Sequence, residues 1–235
     1  MTVYLALTML LAVGVGDTAF FESTRILGLA RAMTLSTSYP LMAAALAVWL
    51  LDEPFTPRHA LGALFTLGGL AVIVGERAKA QPEGSVGSAA GTVGSGRGRG
   101  LALALLAAAA WAVSALLLKP VLFSVDPVTA QAVRLPVAAA MLWVTPWARG
   151  TGRLLWRHGP ARWRLIAWLG VLTALSSVSF VAGLKYAGVG VGSVLSSTSP
   201  LFALPIAFLA VREPVTARAT IGALLAVAGI AVVSL

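Results

Sequence analysis

Eight stretches of about 20 apolar residues decide what this chain can fold into. They cover roughly 3–22, 30–51, 57–76, 100–121, 127–148, 164–184, 190–211 and 216–235. Each is long enough to cross the hydrocarbon layer of a bilayer as a helix. None shows the period-two alternation of a membrane β-barrel. Composition agrees: 59% of residues are hydrophobic and 11% charged, where a soluble domain carries about 25% charged residues. So apolar a chain is not disordered either. The fold class read here is an all-α membrane protein with eight transmembrane helices. The first run is read as a span, because it lacks a basic flank and a cleavage site and continues into Asp17.

Several chemistries drop out. There is no cysteine, and the two histidines, His59 and His158, are far apart in sequence. No thiolate site, zinc site or other cofactor is expected. The net charge of +9 comes from arginines in short loops between apolar runs. It reflects membrane topology rather than nucleic-acid binding. Nothing clusters acids, histidines and serines at one face as a lipid-modifying enzyme would need, so no enzyme is expected. Abundant alanine, with 14 arginines to 3 lysines, reads as a hint of a GC-rich bacterial genome and no more; the location expected is a bacterial inner membrane.

One segment interrupts the apolar pattern. Residues 77–99 are glycine- and serine-rich without any period and read as a flexible linker. It divides the chain into a first unit, 1–76, and a second, 100–235. A shift of 160 residues lays segment 28–73 on 188–233 without a gap. LSTSYPL at 35–41 meets LSSTSPL at 195–201, and DEPFTPR at 52–58 meets REPVTAR at 212–218. Gly28/Gly188, Ser36/Ser196, Pro40/Pro200, Glu53/Glu213 and Gly69/Gly229 are identical pairs. The last three spans of each half are copies of one unit: an incomplete three-helix copy, then a five-helix copy. A complete first copy would carry two more spans, roughly 50–60 residues ahead of Met1. An odd number of spans per copy inverts the second relative to the first, and inverted repeats are the signature of secondary transporters.

The five-span unit resembles the EamA-like transporters of the drug/metabolite transporter superfamily. Trp111 and Lys119 in WAVSALLLK are similar to the family's W-G-x6-K, with Ala112 in place of glycine. Arg134 in QAVRLPVAAAM, the GLKYAG turn at 183–188, the Ser/Thr-Pro break and the E-P-x-T turn are also similar. The resemblance implies a ten-helix carrier of small metabolites or drugs, driven by a gradient rather than ATP. This chain departs from it by lacking the first two helices.

Candidate site residues follow from polarity inside spans. Pro40 and Pro200 leave the carbonyls of Ser36 and Ser196 without their helical donor. Hydroxyls surround both breaks: Ser36, Ser38 and Tyr39 in one copy, Ser196 and Ser199 in the other, with Ser177 on a neighbouring span. The functional reading is a polar notch lining a substrate site at two inverted positions; the structural one is a kink satisfied by its own hydroxyls. Arg134 lies about 10 Å into its span. It either attracts an anion such as a carboxylate, or snorkels or binds a helix end. Trp111 walls a cavity or packs helices. Asp17 is the one acidic residue well inside a span and the candidate coupling-ion site, with its partners expected on the absent helices. Gly62, Thr66 and Gly69, like Gly222, Ala226 and Gly229, form small-residue faces suited to close helix packing. Glu53 and Glu213 belong to loops on opposite membrane faces and structure those loops.

Orientation has two readings. Thirteen basic residues (Arg25, Arg31, Arg77, Lys79, Arg97, Arg99, Arg149, Arg153, Arg157, Arg162, Arg164, Arg212 and Arg218) share the linker's face. Arg58, Lys119 and Lys185 lie on the other. The positive-inside rule then places the linker in the cytoplasm. Similarity to the family's usual form implies the reverse; we follow the tally. The function expected is secondary-active export of a small metabolite or drug, with the lipid bilayer, the solute and a homodimer or other membrane protein as partners. The rival is a non-transporting membrane partner or inactive permease.

Overall fold

The computed structural model describes residues 1–53, 56–80, 97–144, 160–196, 198, 201 and 216–234. Among them every regular element is helical. In chain order the helices are α1 (Thr2–Leu27), α2 (Leu29–Ser36), α3 (Tyr39–Leu51), α4 (Pro57–Ala80) and α5 (Arg97–Leu122). Then come α6 (Pro127–Val144), α7 (Pro160–Ala187), α8 (Val189–Ser196) and α9 (Ala217–Ser234). Four helices, Thr2–Leu27, Gly98–Leu122, Pro127–Val144 and Trp163–Ala187, are long and apolar enough to cross a membrane. They coincide with four of the expected runs. Helix α4 reaches into the glycine-rich segment as far as Ala80 and α5 begins at Arg97. Residues 81–96 of the expected linker lie outside the described residues, as do Ser199, Pro200 and Glu213.

The run at 30–51 is broken, as its proline requires. Thr37 and Ser38 form a turn between α2 and α3, and Pro40 takes the second position of α3, where a missing N–H costs least. Ser38 Oγ donates to Leu35 O at 2.7 Å, a carbonyl that also accepts the Ser38 N–H at 3.1 Å. The same turn recurs 160 residues on: Thr198 Oγ1 donates to Leu195 O at 2.7 Å. The glycines opening α2 and α8, Gly28 and Gly188, have φ of 82° and 87°. A side chain is strained there, so glycine is the residue that fits.

Short polar contacts zip α1 to α5. Ser114 Oγ donates to Thr8 O at 2.7 Å, and Ser23 Oγ donates to Gly100 O at 2.9 Å. A core of Leu5, Ala43, Ala47, Ala112, Ala115, Leu118, Val181, Leu184 and Val189 joins α1, α3, α5, α7 and α8. Among the described residues the most extensive helix interface is α4 on α9. There the small-residue faces meet. A Cβ on Gly69 would strike Gly222 O and Ala226 N, and one on Gly229 would strike Thr66 N and Gly62 O. Backbones approach this closely only where side chains are absent or small. Outward, large apolar side chains such as Trp49, Phe123, Val144 and Trp168 are exposed. A surface this apolar suits lipid rather than water.

Glu53 ties the ends of three helices together. Its carboxylate accepts the N–H groups of Val189 at 2.8 Å and Gly190 at 3.2 Å, capping α8. Lys119 Nζ lies 3.5 Å from Glu53 and donates to Leu184 O at 2.9 Å, where α7 ends. An anion thus meets a helix start and a cation a helix end, both favoured by the peptide dipoles. The loop-structuring role expected of Glu53 takes this form.

Candidate functional site

A cavity of about 380 Å³ lies between α1, α3, α5, α6, α7 and α8. Its walls are Ala12 from α1, Tyr39 at the start of α3, and Trp111, Ser114 and Ala115 from α5. Arg134 of α6, Ser176 and Phe180 of α7, and Ser196 at the end of α8 complete it. Three local features aim these groups inward. The α2–α3 break turns Tyr39 toward the second half, where its hydroxyl lies 2.5 Å from Ser196 Oγ. Ser196 Oγ also donates to Ser193 O at 2.8 Å. Residues Leu10–Asp17 of α1 form π-helical turns, a local widening frequent at functional sites. Within it, Gly16 leaves room for an indole: a Cβ there would lie 2.6 Å from Trp111 Nε1.

Trp111 is therefore held on several sides. Its Nε1–H donates to Asp17 Oδ1 at 2.9 Å. Its ring packs on Phe20 at 5.5 Å between centroids and takes Tyr39 edge-on at 6.1 Å. Asp17 thus finds its partner on α5 within this chain, which corrects the expectation that its partners sit on absent helices. Trp111 combines both readings given to it: it packs helices and walls the cavity.

Arg134 does not snorkel. It is 5% exposed and faces the cavity. Its Nη1 donates to Gln131 Oε1 at 3.2 Å, while its Nε has no hydrogen-bond partner. Gln131 is fixed in turn by a hydrogen bond from its Nε2 to Ser177 Oγ. The structure thus brings Tyr39, Trp111, Arg134 and Ser196 to one cavity. Ser177 stands one shell back, and its neighbour Ser176 lines the wall instead. Ser36 is buried with no partner for Oγ, Ser38 is spent on Leu35 O, and Pro40 is buried at the break. Ser199 and Pro200 lie outside the described residues.

Reasoning from polarity alone missed Gln131, Ser114 and Phe180. The spacing could have found two of them. Gln131 precedes Arg134 by three residues, and Ser114 follows Trp111 by three, so each shares a helix face with a candidate already chosen. Phe180 carries no polarity to mark it. Among the described residues no group of three His, Cys, Asp or Glu side chains could hold a metal.

A family model for the EamA-like transporter family matches residues 1–75 and 98–235. One solved structure, described only as the crystal structure of a protein, is similar with a TM-score of 0.72 at 21% identity. The match covers 95% of this chain and 73% of that one, and at that identity it shows the fold alone. No curated protein matches the chain.

Proposed function

The chain belongs to the EamA-like transporter family, and from that premise we propose that it carries a small metabolite or drug across a membrane by secondary-active alternating access. Family membership makes it a multi-pass membrane protein and a transporter of the drug/metabolite type rather than an enzyme. The finer reading is ours. Eight spans form two inverted repeats, 1–76 and 100–235, joined by the segment 77–99, in a bacterial inner membrane. Export is the direction.

One observation carries the mechanism. Tyr39 and Ser196 meet at 2.5 Å across the cavity, each from beside the break in its own half. Ser36 and Ser196 are repeat mates, the two breaks share one hydrogen-bonded turn, and the helices before them open on Gly28 and Gly188. Broken helices meeting across a cavity support a site around which one bundle rocks against the other. Tyr39, Trp111, Arg134, Ser176 and Ser196 form the lining, supported by Ser177 and by Ser36, Ser38 and Pro40, with Ser199 and Pro200 assigned by repeat. Asp17 is the coupling site: a proton on its carboxylate neutralises the acceptor that holds the Trp111 wall and so weakens that hydrogen bond. No cofactor takes part.

Purified full-length protein in liposomes tests this. Flux that needs a proton gradient and no ATP is the expected result. Flux that requires ATP hydrolysis, or no flux across a broad solute panel, refutes it.

One observation favours a second reading, a membrane partner. Thr173, Ser176 and Ser179 of α7 are exposed, whereas Val13, Gly16 and Ala19, 160 residues earlier, are buried, and Gly16 packs under Trp111 of α5. A hydroxyl face of this kind suits another helix. Ser179→Cys, outside the cavity lining of this cysteine-free chain, reports it by cross-linking in native membranes. A product at twice the monomer mass identifies a homodimer, a different adduct identifies another protein, and no product leaves the face to lipid.

A further inference from the structure

We propose that the cavity takes organic anions: solutes with a carboxylate joined to an apolar, preferably aromatic, body. The inference rests on the transport reading above and names its substrate class.

Charge is the first ground. Among the described residues Arg134 is the one charged side chain lining the cavity. It is 5% exposed, and among the described residues no carboxylate lies within ion-pair distance of it. Its one partner is the neutral Gln131, at 3.2 Å, and its Nε is unpartnered. Gln131 is itself anchored to Ser177, so it orients the guanidinium without neutralising it. The nearby acid, Asp17, is engaged by Trp111. A guanidinium desolvated with most of its donors unused is costly in a membrane. A carboxylate supplies two parallel acceptors matched to that fork. A cation in the same space would meet like charge, with no acid among the described lining residues to offset it.

The remaining walls specify the rest of the solute. Trp111 and Phe180 provide apolar surface, with Trp111 locked by Gly16, Phe20 and Asp17. Ring faces held this way accept another ring edge-on or offset. The hydroxyls of Tyr39 and Ser196 largely satisfy each other, so they favour a solute with few polar groups beyond the carboxylate. A volume of about 380 Å³ lies at the small end of ligand pockets and suits a solute the size of a substituted amino acid.

Three probes built on one phenylalanine frame separate the charges at pH 6: N-acetylphenylalanine is an anion, its carboxamide is neutral, and phenylalaninamide, with a free amine in place of the acetamide, is a cation. Their binding to the purified full-length protein is read by ligand-induced thermal stabilisation, and their flux is read in liposomes. The anion is expected to bind at least about tenfold more tightly than the neutral amide, the difference of a charge-assisted bond, and the cation most weakly. Arg134→Gln should erase the preference; Arg134→Lys, which keeps charge without the fork, should retain part of it. Amide or cation binding that equals the anion's, a preference that survives Arg134→Gln, or no binding of any probe at millimolar concentration overturns the inference. The comparison among probes on the unsubstituted protein stands even if the variants fail to fold. Anion binding without flux upholds the inference and sinks the carrier reading; flux of the cation or amide alone does the reverse.

Discussion

Trp111 is held in place by the absence of one carbon atom. A methyl group on Gly16 would lie 2.6 Å from its indole nitrogen, so Gly16→Ala must displace the ring that walls the cavity. Overpacking of this kind costs about 1–3 kcal/mol. We expect a lower unfolding temperature in detergent and a larger proportional loss of flux. Asp17→Asn keeps an acceptor for the indole N–H at 2.9 Å but cannot take up a proton. Flux in that variant should persist down the solute's own gradient and lose its response to an imposed pH gradient. Outside the spans, Asp126 caps α6 by accepting the N–H groups of Val128 and Thr129, each at 3.0 Å. Hydrogen bonding from Thr129, side chain first, holds this carboxyl below its ordinary value. A depressed carboxyl pKa stabilises the folded state above the unfolded value near 3.9 and loses that contribution as pH falls through the folded one. The melting difference between the native protein and Asp126→Asn should therefore shrink between pH 5 and 3. At this scale the polar candidates were legible as exceptions inside apolar runs. Their pairings were not, since Asp17 and Trp111 are 94 residues apart in sequence and nothing local to either names the other.

The crossing of α4 and α9 behaves as one unit. The glycines that meet backbone, Gly69, Gly222 and Gly229, differ from Gly68, where an added Cβ would meet nothing within 4 Å. Gly69→Leu should force the helices apart and lower the unfolding temperature sharply. Gly68→Ala should leave it unchanged or raise stability by about 0.5–1 kcal/mol, the gain of alanine over glycine in a helix. Equal effects would mean that the close approach is not what joins the two helices. Glu53 acts at the same scale. Glu53→Ala leaves two N–H groups of α8 uncapped and Lys119 without its ion pair, for which we expect about 1–3 kcal/mol in a detergent melt. The periodic small residues announced the first contact, because spacing on a helix is a property of sequence. The cap was legible only as a turn motif, since its recipient, Val189, lies 136 residues away.

For the molecule as a whole, the positive-inside tally predicts which face is cytoplasmic. The chain has no cysteine, so Gly98→Cys and Phe123→Cys, at exposed positions near opposite ends of α5, report it cleanly. With intact cells and an impermeant thiol reagent, labelling should occur at 123 and be absent at 98; the opposite pattern reverses the orientation. By itself the sequence determined that the chain is helical, that it belongs in a membrane, where its apolar segments run and where its broken helix breaks. Transfer into lipid is additive along a segment, and a proline's missing N–H acts within one turn, so both can be read locally. Only the tertiary structure decided which faces meet, that Tyr39 reaches Ser196, and that Arg134 looks into a cavity with no counter-charge among the described residues. In lipid the hydrophobic effect no longer selects among apolar faces. That choice falls to shape, close backbone approach and hydrogen bonds between residues far apart in sequence, and these exist only once the helices are together.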